Sequence, residues 1–418
     1  MSGRSLDRDE LANLLRRGDV RCILDALVVP GEETRLVGGC VRDALLGSSS
    51  TDIDLATTLE PGATLSLAAT AGLRAIPTGF EHGTVTILAK GTAFEVTTLR
   101  EDIETDGRHA VVRFGHDFGR DAERRDFTIN ALSLDPDGRL HDTTGGVADL
   151  EGGRVRFIGD AATRIREDAL RILRFFRFHA RYGCAAPDEA GLAACAAARE
   201  AVDDLSRERV RAELLKLLVA PRALAALRTM DDARILERLI GGPADLGRLA
   251  RIVEACPDSS AVTRFASLAV RTDTDAARLQ EALRLSKAEG ATLAAFAEAS
   301  AALAQRHTID AGAMRALVAV HDASPIAEAL AAMDAQERPQ ITSDGLANLD
   351  AMRLGMLDRP IFPLTGADLV ARGVAPGPAV GRGLNAARTL WLESGCPVDP
   401  QDLDALLAHG LRIAGDGA

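Results

Sequence analysis

Hydrophobic residues follow two different periodicities in the two parts of this 418-residue chain. Up to about residue 158, short alternating segments rich in β-branched residues are interleaved with segments whose apolar residues recur every three to four positions. Alternation is typical of strands, and the longer period is typical of helices. The pattern predicts strands at 34–37, 52–56, 84–88 and 94–99, and helices at 6–28 with a break at Gly18, at 41–46 and at 62–72.

Beyond residue 158 the strand signals disappear. Segments 163–181 and 202–219, and most of the chain that follows, have the helical period, and Ala and Leu become abundant after residue 185. This composition suits helices that pack through small residues. The chain is therefore predicted to be α+β, with a small mixed domain followed by a long helical region.

Two segments rich in polar residues or breakers are expected to lack regular structure. Residues 101–124 carry many charges and are predicted to form a mobile loop. Residues 363–383 collect proline and glycine, which predicts an ordered region of loops and turns.

The composition argues against several classes of protein. The formal net charge of −12 disfavours a protein that coats nucleic acid without specificity, although a local basic groove stays open. Aromatic residues make up only 3% of the chain, which disfavours a single-strand binder that stacks bases. The six cysteines are scattered and form no CxxC pair, and there is no long apolar run. These features predict a protein of the reducing cytoplasm, not of the membrane.

A pair of carboxylates, Asp52 and Asp54, marks the second predicted strand. Side chains alternate along a strand, so both carboxylates point to one face while Ile53 points to the core. Carboxylates this close repel each other unless a cation lies between them, and Mg²⁺ prefers carboxylate, phosphate and water oxygens. Two such ions can activate a hydroxyl and stabilise a leaving pyrophosphate. Without further support, the pair is more typical of a solvated strand end.

The residues before this strand supply an anion-binding element. Gly38-Gly39 begins the predicted helix, whose free N–H groups and positive dipole end can hold a triphosphate. Arg42 lies one turn further and can add charge-assisted hydrogen bonds. A third carboxylate, Glu95, is expected on the neighbouring strand, and Asp102 competes with it for this role.

Further motifs follow in order along the first 220 residues. The set comprises LVGGCVRDALLG (36–47), DIDLAT (52–57), RRDFTINAL (124–132), a D…GG…DL…G segment from Asp142 to Gly152, EDALRILRFFRF (167–178) and RERVRAELLKLL (207–218). Together they resemble the signature of the polymerase-β-like nucleotidyltransferases. More narrowly, they resemble the class II tRNA nucleotidyltransferases, or CCA-adding enzymes, and the bacterial poly(A) polymerases. Chance is a poor explanation for motifs in this order.

The resemblance implies a fold and a metal site. A polymerase-β-like nucleotidyltransferase head domain is expected at residues 1–158, an all-helical neck that recognises the base at 159–235, and an all-helical body and tail that bind RNA at 236–418. The family's chemistry implies that Asp52 and Asp54 hold Mg²⁺, with Glu95 as a third catalytic carboxylate.

The resemblance also implies which residues contact the incoming nucleotide. One group is expected at its phosphates and comprises Gly38, Gly39 and Arg42. A second group is expected at its sugar and phosphates and comprises Arg125, Asp126 and Asn130, with Arg124 as a helper.

Four polar residues are spaced by three positions in the predicted neck helix: Asp168, Arg171, Arg174 and Arg177. Neighbours at i and i+3 share a helix face, so the row is either a charged face with local ion pairs or, under the resemblance, a pocket for the base. Cytosine and adenine present an amino donor beside a ring-nitrogen acceptor, whereas uracil and guanine present a carbonyl beside an N–H. Asp168 would accept from the amino group and Arg171 would donate to the ring nitrogen, while Arg174 and Arg177 would hold phosphate or support Arg171.

These inferences predict a CCA-adding enzyme that extends the 3′ end of tRNA with C, C and A from CTP and ATP. The segment between the DxD strand and the RRDFT motif places Arg100, Asp102, Gly107 and Arg108 as in complete CCA-adding relatives. The alternatives are a poly(A) polymerase, an enzyme that adds only CC or only A, and a noncatalytic RNA-binding relative. The sequence leaves the oligomeric state open.

The glycine- and proline-rich tail segment has two interpretations. Gly377-Pro378 either begins a helix whose N-terminus meets an RNA phosphate or forms a purely structural turn.

Overall fold

Two compact units make up the chain, Met1–Leu239 and Ile240–Ala418. The computed structural model describes residues 4–50, 52–105 and 110–415, with the backbone alone for 101–105 and 110–113. The boundary predicted at residue 235 lies close to the division between the units, and the one predicted at residue 158 falls inside the first unit. The division into head, neck, and body with tail stays a prediction.

A mixed sheet is the framework of the first unit. The strands of its described part are β1 (Thr34–Val37), β2 (Asp54–Thr57), β3 (Arg74–Gly79), β4 (Thr84–Ala89), β5 (Thr92–Thr98), β6 (Arg100–Thr105), β7 (Ala110–Phe114), β8 (Ser133–Leu134) and β9 (Leu140–His141). Seven of them form one sheet in the order β3-β4-β5-β2-β1-β8-β9. Strands β2 and β5 are parallel, and the other neighbours are antiparallel. The strands predicted at 84–88 and 94–99 are confirmed as β4 and β5, which pair as an antiparallel hairpin.

Helices alternate with the strands along the described part of the first unit, and the elements that follow β9 in this unit are helices. The α-helices are α1 (Arg8–Arg16), α2 (Gly18–Ala26), α3 (Gly39–Leu45), α4 (Pro61–Thr70), α5 (Phe118–Glu123), α6 (Gly146–Glu151), α7 (Ala161–Glu167), α8 (Leu170–Tyr182), α9 (Glu189–Ala197), α10 (Arg207–Leu218), α11 (Ala223–Asp232) and α12 (Leu236–Ile240), whose last residue belongs to the second unit. The predicted break at Gly18 is confirmed, because α1 ends at Arg16 and α2 begins at Gly18.

The mobile loop predicted at residues 101–124 is wrong for the residues described. Strands β6 and β7 pair as an antiparallel ribbon, and α5 follows it. Antiparallel pairing satisfies the backbone without requiring apolar side chains, so the charges of this segment do not prevent strand formation. Gly107 and Arg108, two residues of the pattern that favours complete CCA addition, lie outside the described residues.

The single helix predicted at 163–181 is also wrong, because it is two helices. Asp168 ends α7 with an extended backbone (φ −154°, ψ 105°), and α8 begins at Leu170. The Asp168 carboxylate accepts a hydrogen bond from the Leu170 N–H at 3.1 Å, which satisfies one free donor at the start of α8. Asp168 therefore lies in a bend between helices and not on the helical row of Arg171, Arg174 and Arg177.

A cluster of aromatic rings joins α8 to the sheet side of the first unit. The Phe127 ring centroid lies 4.9 Å from that of Phe157 and 5.3 Å from that of Phe178, and Phe157 stacks on Phe175 at 5.5 Å. All four side chains are buried. The phenylalanine of the RRDFT motif thus fixes the arginines and aspartate before it against α8.

The regular elements in the described part of the second unit are helices and one pair of very short parallel strands, β10 (Thr308–Ile309) and β11 (Gln340–Ile341). Its helices are α13 (Leu246–Ala255), α14 (Ala261–Ala269), α15 (Asp273–Ala282), α16 (Lys287–Ala304), α17 (Ala311–His321), α18 (Ala323–Ala332), α19 (Ser343–Arg353), α20 (Gly366–Val370), α21 (Pro378–Glu393) and α22 (Pro400–Gly415). The segment predicted as loops and turns at 363–383 contains α20 and the start of α21, so Gly377-Pro378 does begin a helix. Among the residues described, no helix combines the length and the apolar character needed to cross a membrane.

Candidate active site

Of the two predicted metal ligands, Asp54 lies on β2 and Asp52 lies just before it, so the strand predicted at 52–56 begins two residues later than expected. Asp54 is the first residue of the strand, and its Cα pairs with that of Val37 on β1 and of Glu95 on β5. Ile53 is fully buried, whereas Asp52 is exposed and Asp54 is half-buried. Because paired residues of neighbouring strands project to the same face, Asp54 and Glu95 share one face of the sheet. Their roles as ligands stay predictions.

The electrostatic state of Asp54 indicates that this face suits a cation. Burial, together with the charges of Asp52 and Glu95, raises the pKa of Asp54 to about 6, although the charge of Arg125 opposes this shift. Among the described residues, no group of three or more Asp, Glu, His or Cys side chains is arranged to hold a metal ion by itself. Mg²⁺ commonly takes one or two carboxylates and completes its shell with substrate phosphates and water. The donor set of Asp52 and Asp54 fits that ion.

Gly38 and Gly39 form the turn between β1 and α3. Gly38 has a positive φ of 72°, and a Cβ there would lie 3.1 Å from Nη1 of Arg125. Glycine is therefore required both by the backbone conformation and by the closeness of that guanidinium. Gly39 is the first residue of α3, so the N–H groups of the first turn have no acceptor within the helix.

Arg42 is buried against other side chains of the first unit. Its guanidinium donates to the Asn130 side-chain oxygen and, at 2.9 Å, to the Asp43 carboxylate. It also lies 4.2 Å from the ring centroid of Tyr182, whose hydroxyl donates to Asp43 at 3.0 Å. Since Arg42 is only 6% exposed, its clearest contact within the predicted nucleotide-binding set is Asn130.

Asn130 and Asp126 connect the predicted sugar- and phosphate-binding residues. The Asn130 amide donates to Asp126 Oδ1 at 2.9 Å, and its backbone oxygen accepts from Arg125 at 3.4 Å. Asp126 Oδ2 accepts from Arg174 of α8 at 2.7 Å. Both Asp126 and Asn130 are buried, so their polar atoms are held by protein partners.

The two arginines of the RRD motif share a carboxylate that the sequence did not single out. Asp121 of α5 accepts from Arg124 at 2.9 Å and from Arg125 at 3.1 Å, counting the Nε donors. Sequence reasoning missed Asp121 because it placed this residue in a loop. The signal that could have found it is the spacing of three and four residues to Arg124 and Arg125, which is the spacing of ion pairs on a helix.

Glu213 of α10 holds the last two arginines of the predicted neck row. The Nε atom of Arg177 lies 2.5 Å from one Glu213 oxygen, and Nη1 of Arg174 lies 3.7 Å from the other. Glu213 is 6% exposed, and burial lowers the pKa of Arg177 even though the charge of Glu213 raises it. Glu213 belongs to the motif at 207–218, and the sequence alone does not indicate its partners.

The two residues predicted to recognise the base do not bond to each other through their side chains in the described contacts. The Asp168 carboxylate accepts from Arg209 of α10 at 2.7 Å. Arg171 donates to the Glu167 carboxylate at 2.5 Å and to the backbone oxygen of Arg164 at 2.9 Å. Burial raises the pKa of Glu167, but hydrogen bonds from Arg171 and Arg164 outweigh it and lower the pKa overall. Arg209 and Glu167 were not identified from the sequence as partners of this pair.

A single chain of contacts therefore links half of the predicted nucleotide-binding residues. It runs through six side chains in the order Arg42, Asn130, Asp126, Arg174, Glu213 and Arg177. Charged groups alternate along it from Asp126 onward, so each buried charge has an opposite partner. Such a network can hold donors in fixed positions beside the carboxylate face of β2.

Two known protein families match parts of the first 244 residues of this chain. The family described as the poly A polymerase head domain matches residues 34–156. The family described as the probable RNA and SrmB-binding site of polymerase A matches residues 186–244.

Individual relatives match over most of the chain. The mitochondrial CCA tRNA nucleotidyltransferase 1 of Danio rerio is 34% identical over 398 residues, which cover 90% of this chain and 87% of that protein. The CCA-adding enzyme of Limosilactobacillus fermentum is 32% identical over 392 residues, which cover 92% of this chain and 94% of that protein.

Solved structures share the fold. The Bacillus stearothermophilus CCA-adding enzyme in complex with CTP gives a TM-score of 0.74 at 24% identity, covering 96% of this chain and 98% of that one. The Thermotoga maritima CCA-adding enzyme complexed with tRNA gives a TM-score of 0.68 at 20% identity, covering 98% of this chain and 99% of that one.

Proposed function

Because the chain belongs to the family of CCA-adding tRNA nucleotidyltransferases, we propose that it adds C, C and A from CTP and ATP to the 3′ end of tRNA without a nucleic-acid template. The observation that carries this proposal is the carboxylate face of β2. Asp54 lies there opposite Glu95, and the charges of Asp52 and Glu95 contribute to its raised pKa. A site that concentrates negative charge in this way is suited to a divalent cation, which can in turn bind the phosphates of a nucleoside triphosphate.

Asp52 and Asp54 are the residues that would hold Mg²⁺. When bound, this ion would lower the pKa of the attacking 3′-hydroxyl and would neutralise charge that develops on the phosphates. Glu95 shares the same face and is the third carboxylate of the proposal. All other contributions come from side chains and backbone groups that bind and orient the nucleotide.

The triphosphate is proposed to lie at the turn that precedes α3. The N–H groups of the first turn, beginning at Gly39, are available donors, and Gly38 leaves room for the Arg125 guanidinium. Arg125 would bind phosphate directly. Asn130, held by Arg42 and Asp126, would orient the sugar.

The base is proposed to be selected by Asp168 and Arg171. Each group has a protein partner, Arg209 for Asp168 and Glu167 for Arg171, which fixes its position before a base arrives. A carboxylate acceptor beside a guanidinium donor matches the edge that cytosine and adenine share. Uracil or guanine would set a carbonyl against the carboxylate and an N–H against the guanidinium, which costs about 1–3 kcal/mol for each unpaired group.

A defined RNA product tests this function. The purified protein is incubated with MgCl₂, CTP and ATP, and with either a tRNA transcript that lacks its CCA end or an unstructured RNA of equal length. Mass spectrometry of the tRNA is expected to show addition of C, C and A, with little extension of the unstructured RNA. Long adenosine tails on both substrates would indicate a poly(A) polymerase, and additions that stop at CC or contain only A would indicate a partial activity. No extension of either RNA would contradict the proposal.

The compartment and the metal are separate proposals. Scattered cysteines fit a reducing compartment such as the cytoplasm, but the relative from Danio rerio is named as mitochondrial, so the compartment stays a prediction. Replacement of Mg²⁺ by EDTA in the same assay is expected to stop addition, and activity that persists in EDTA would exclude the ion.

A further inference from the structure

Asp121 is a buried carboxylate that both arginines of the RRD motif contact. It lies in the middle of α5 and is 5% exposed. Its Oδ1 atom accepts from Nε and Nη2 of Arg124 at 2.9 and 2.5 Å. Its Oδ2 atom accepts from Nε and Nη2 of Arg125 at 3.1 and 3.0 Å. Each carboxylate oxygen thus accepts hydrogen bonds from one guanidinium.

The surrounding charges keep this buried carboxylate ionised. Burial alone raises the pKa of Asp121, but the charges of Arg125 and Arg124 and their hydrogen bonds outweigh it and lower the pKa below its usual value. The three charges sum to one positive charge. A buried acid that stays ionised beside two arginines leaves a net cationic cluster, which attracts the negative charge of a triphosphate.

The contacts fix Arg125 in one orientation and leave part of it free. A guanidinium has five N–H groups. Asp121 uses the edge formed by Nε and Nη2, and the backbone oxygen of Asn130 accepts from Nη1 at 3.4 Å. The described contacts therefore leave one N–H on each Nη atom. The same guanidinium lies beside the Gly38 turn, and its charge acts on Asp54.

We propose that Asp121 is a positioning residue for nucleotide binding. It anchors Arg124 and Arg125 by one edge each, so that Arg125 presents its two remaining N–H groups to the phosphates of the incoming CTP or ATP. This inference rests on the proposed function, because it requires Arg125 to bind the triphosphate. Asp121 itself does not touch the nucleotide.

A purely structural role would leave a different signature. The side-chain cap of α5 is Asp117, which accepts from the Gly119 and Arg120 N–H groups, so the carboxylate of Asp121 is not needed to begin the helix. If Asp121 only stabilised the fold, its loss would lower the melting temperature without a selective effect on nucleotide affinity. If it positions Arg125, its effect on the KM for nucleotide must depend on the presence of Arg125.

A double-mutant cycle tests this dependence. D121N, R125A and the double variant are compared for kcat and for the KM of CTP and ATP on tRNA lacking its CCA end. D121N and R125A are each expected to raise KM about tenfold, while kcat falls by no more than about threefold, since the contact of Arg125 with the nucleotide is misaligned in D121N and lost in R125A. The double variant is expected to stay within about threefold of R125A, because Asp121 acts through Arg125.

Two further variants complete the design. E123Q removes one negative charge from an exposed position on the same helix and is expected to keep the wild-type KM. D121E restores the carboxylate on a longer side chain and is expected to give a KM between those of D121N and the wild type. If D121N does not fold, D121E takes its place in the cycle with R125A, because Glu keeps the charge but moves the anchor.

The outcomes separate this inference from the proposed function. The positioning role would be overturned if the double variant raised KM by the product of the two single effects, or if folded D121N kept the wild-type KM. CCA addition by the wild type would stand in either case. A wild-type KM in R125A would also overturn the positioning role. An inactive wild-type protein would overturn the proposed function instead.

Discussion

Arg174 of α8 forms an ion pair with Asp126, and its Nε and Nη2 atoms lie 2.7 and 2.6 Å from a single carboxylate oxygen. The other oxygen of Asp126 accepts from the Phe127 N–H at 2.8 Å and from the Asn130 amide. One buried carboxylate therefore joins a helix of the predicted neck to the residues proposed to hold the sugar. The stability of the first unit and the geometry of its nucleotide site consequently depend on the same contact.

Removal of Arg174 is expected to destabilise the first unit. In R174A, Asp126 keeps its burial but loses its opposite charge. Breaking a buried pair costs about 3–5 kcal/mol, and since the Arg174 side chain is 31% exposed, we expect roughly 2–3 kcal/mol here. Urea denaturation followed by circular dichroism measures the change. R181A removes an exposed arginine from the same helix and is expected to stay within about 0.5 kcal/mol of the wild type. Equal stability of R174A and R181A would contradict the structural role.

The sequence predicts those parts of the site that depend on local pattern. Alternation predicts that Asp52 and Asp54 flank a buried Ile53, and two alternating segments joined by a tight turn predict the hairpin of β4 and β5. These features depend on neighbouring residues, so a single sequence contains enough information to predict them. The pairing that brings Glu95 beside Asp54 is different, because it joins the parallel strands β2 and β5, which are distant in sequence.

The parts that were missed depend on partners from distant elements or on ambiguous local signals. Arg209 and Glu213 lie on α10, about forty residues from Asp168 and Arg177, and periodicity does not indicate which charges meet across two helices. The bend at Asp168 has no glycine or proline to mark it. Its cause is a side-chain hydrogen bond to Leu170, which competes with a continuous helix.

Asp168 is expected to determine which nucleotides are accepted. In D168A the acceptor for the amino group of cytosine and adenine is lost, so the ratio of kcat/KM for CTP over UTP should fall by about 10- to 100-fold. Single-nucleotide addition with all four nucleoside triphosphates measures this ratio. R166A removes an exposed charge from the preceding helix and should keep the wild-type ratio. Unchanged selectivity in D168A, or efficient addition of UMP by the wild type, would exclude the proposed pocket.

Gly38 is expected to be needed for nucleotide affinity as well as for folding. G38A forces a side chain into a positive φ of 72° and sets its Cβ 3.1 Å from the Arg125 guanidinium. We expect a loss of about 1–3 kcal/mol in stability and a KM for nucleotide raised about tenfold or more, because Arg125 must move. G31A is the matched control, since Gly31 also has a positive φ of 86° but no atom within 4 Å of the added Cβ. G31A should lower the stability but leave the KM for nucleotide unchanged. An equal rise of KM in both variants would argue against the clash with Arg125.

Asp54 is expected to lower the stability of the fold at neutral pH in the absence of divalent cations. Its pKa is about 6 in the folded chain, compared with an ordinary value of 3.8. The folded state therefore binds a proton more tightly than the unfolded state. The contribution of Asp54 to the free energy of unfolding is therefore most favourable below about pH 4 and falls as the pH rises. The loss is complete above about pH 6, where Asp54 is ionised in both states.

The variant D54N removes the charge and should reverse this deficit. In EDTA at pH 7.5 we expect D54N to be more stable than the wild type by roughly 2 kcal/mol, with the difference vanishing near pH 3.5. MgCl₂ should stabilise the wild type more than D54N, and nucleotide addition should be lost in D54N because a proposed ligand is gone. Urea denaturation across this pH range, with E123Q as an exposed control, measures the effect. A D54N protein that is less stable than the wild type at pH 7.5 would contradict the electrostatic cost of the Asp54 charge. A D54N protein that still adds nucleotides at the wild-type rate would contradict the role of this carboxylate in the reaction.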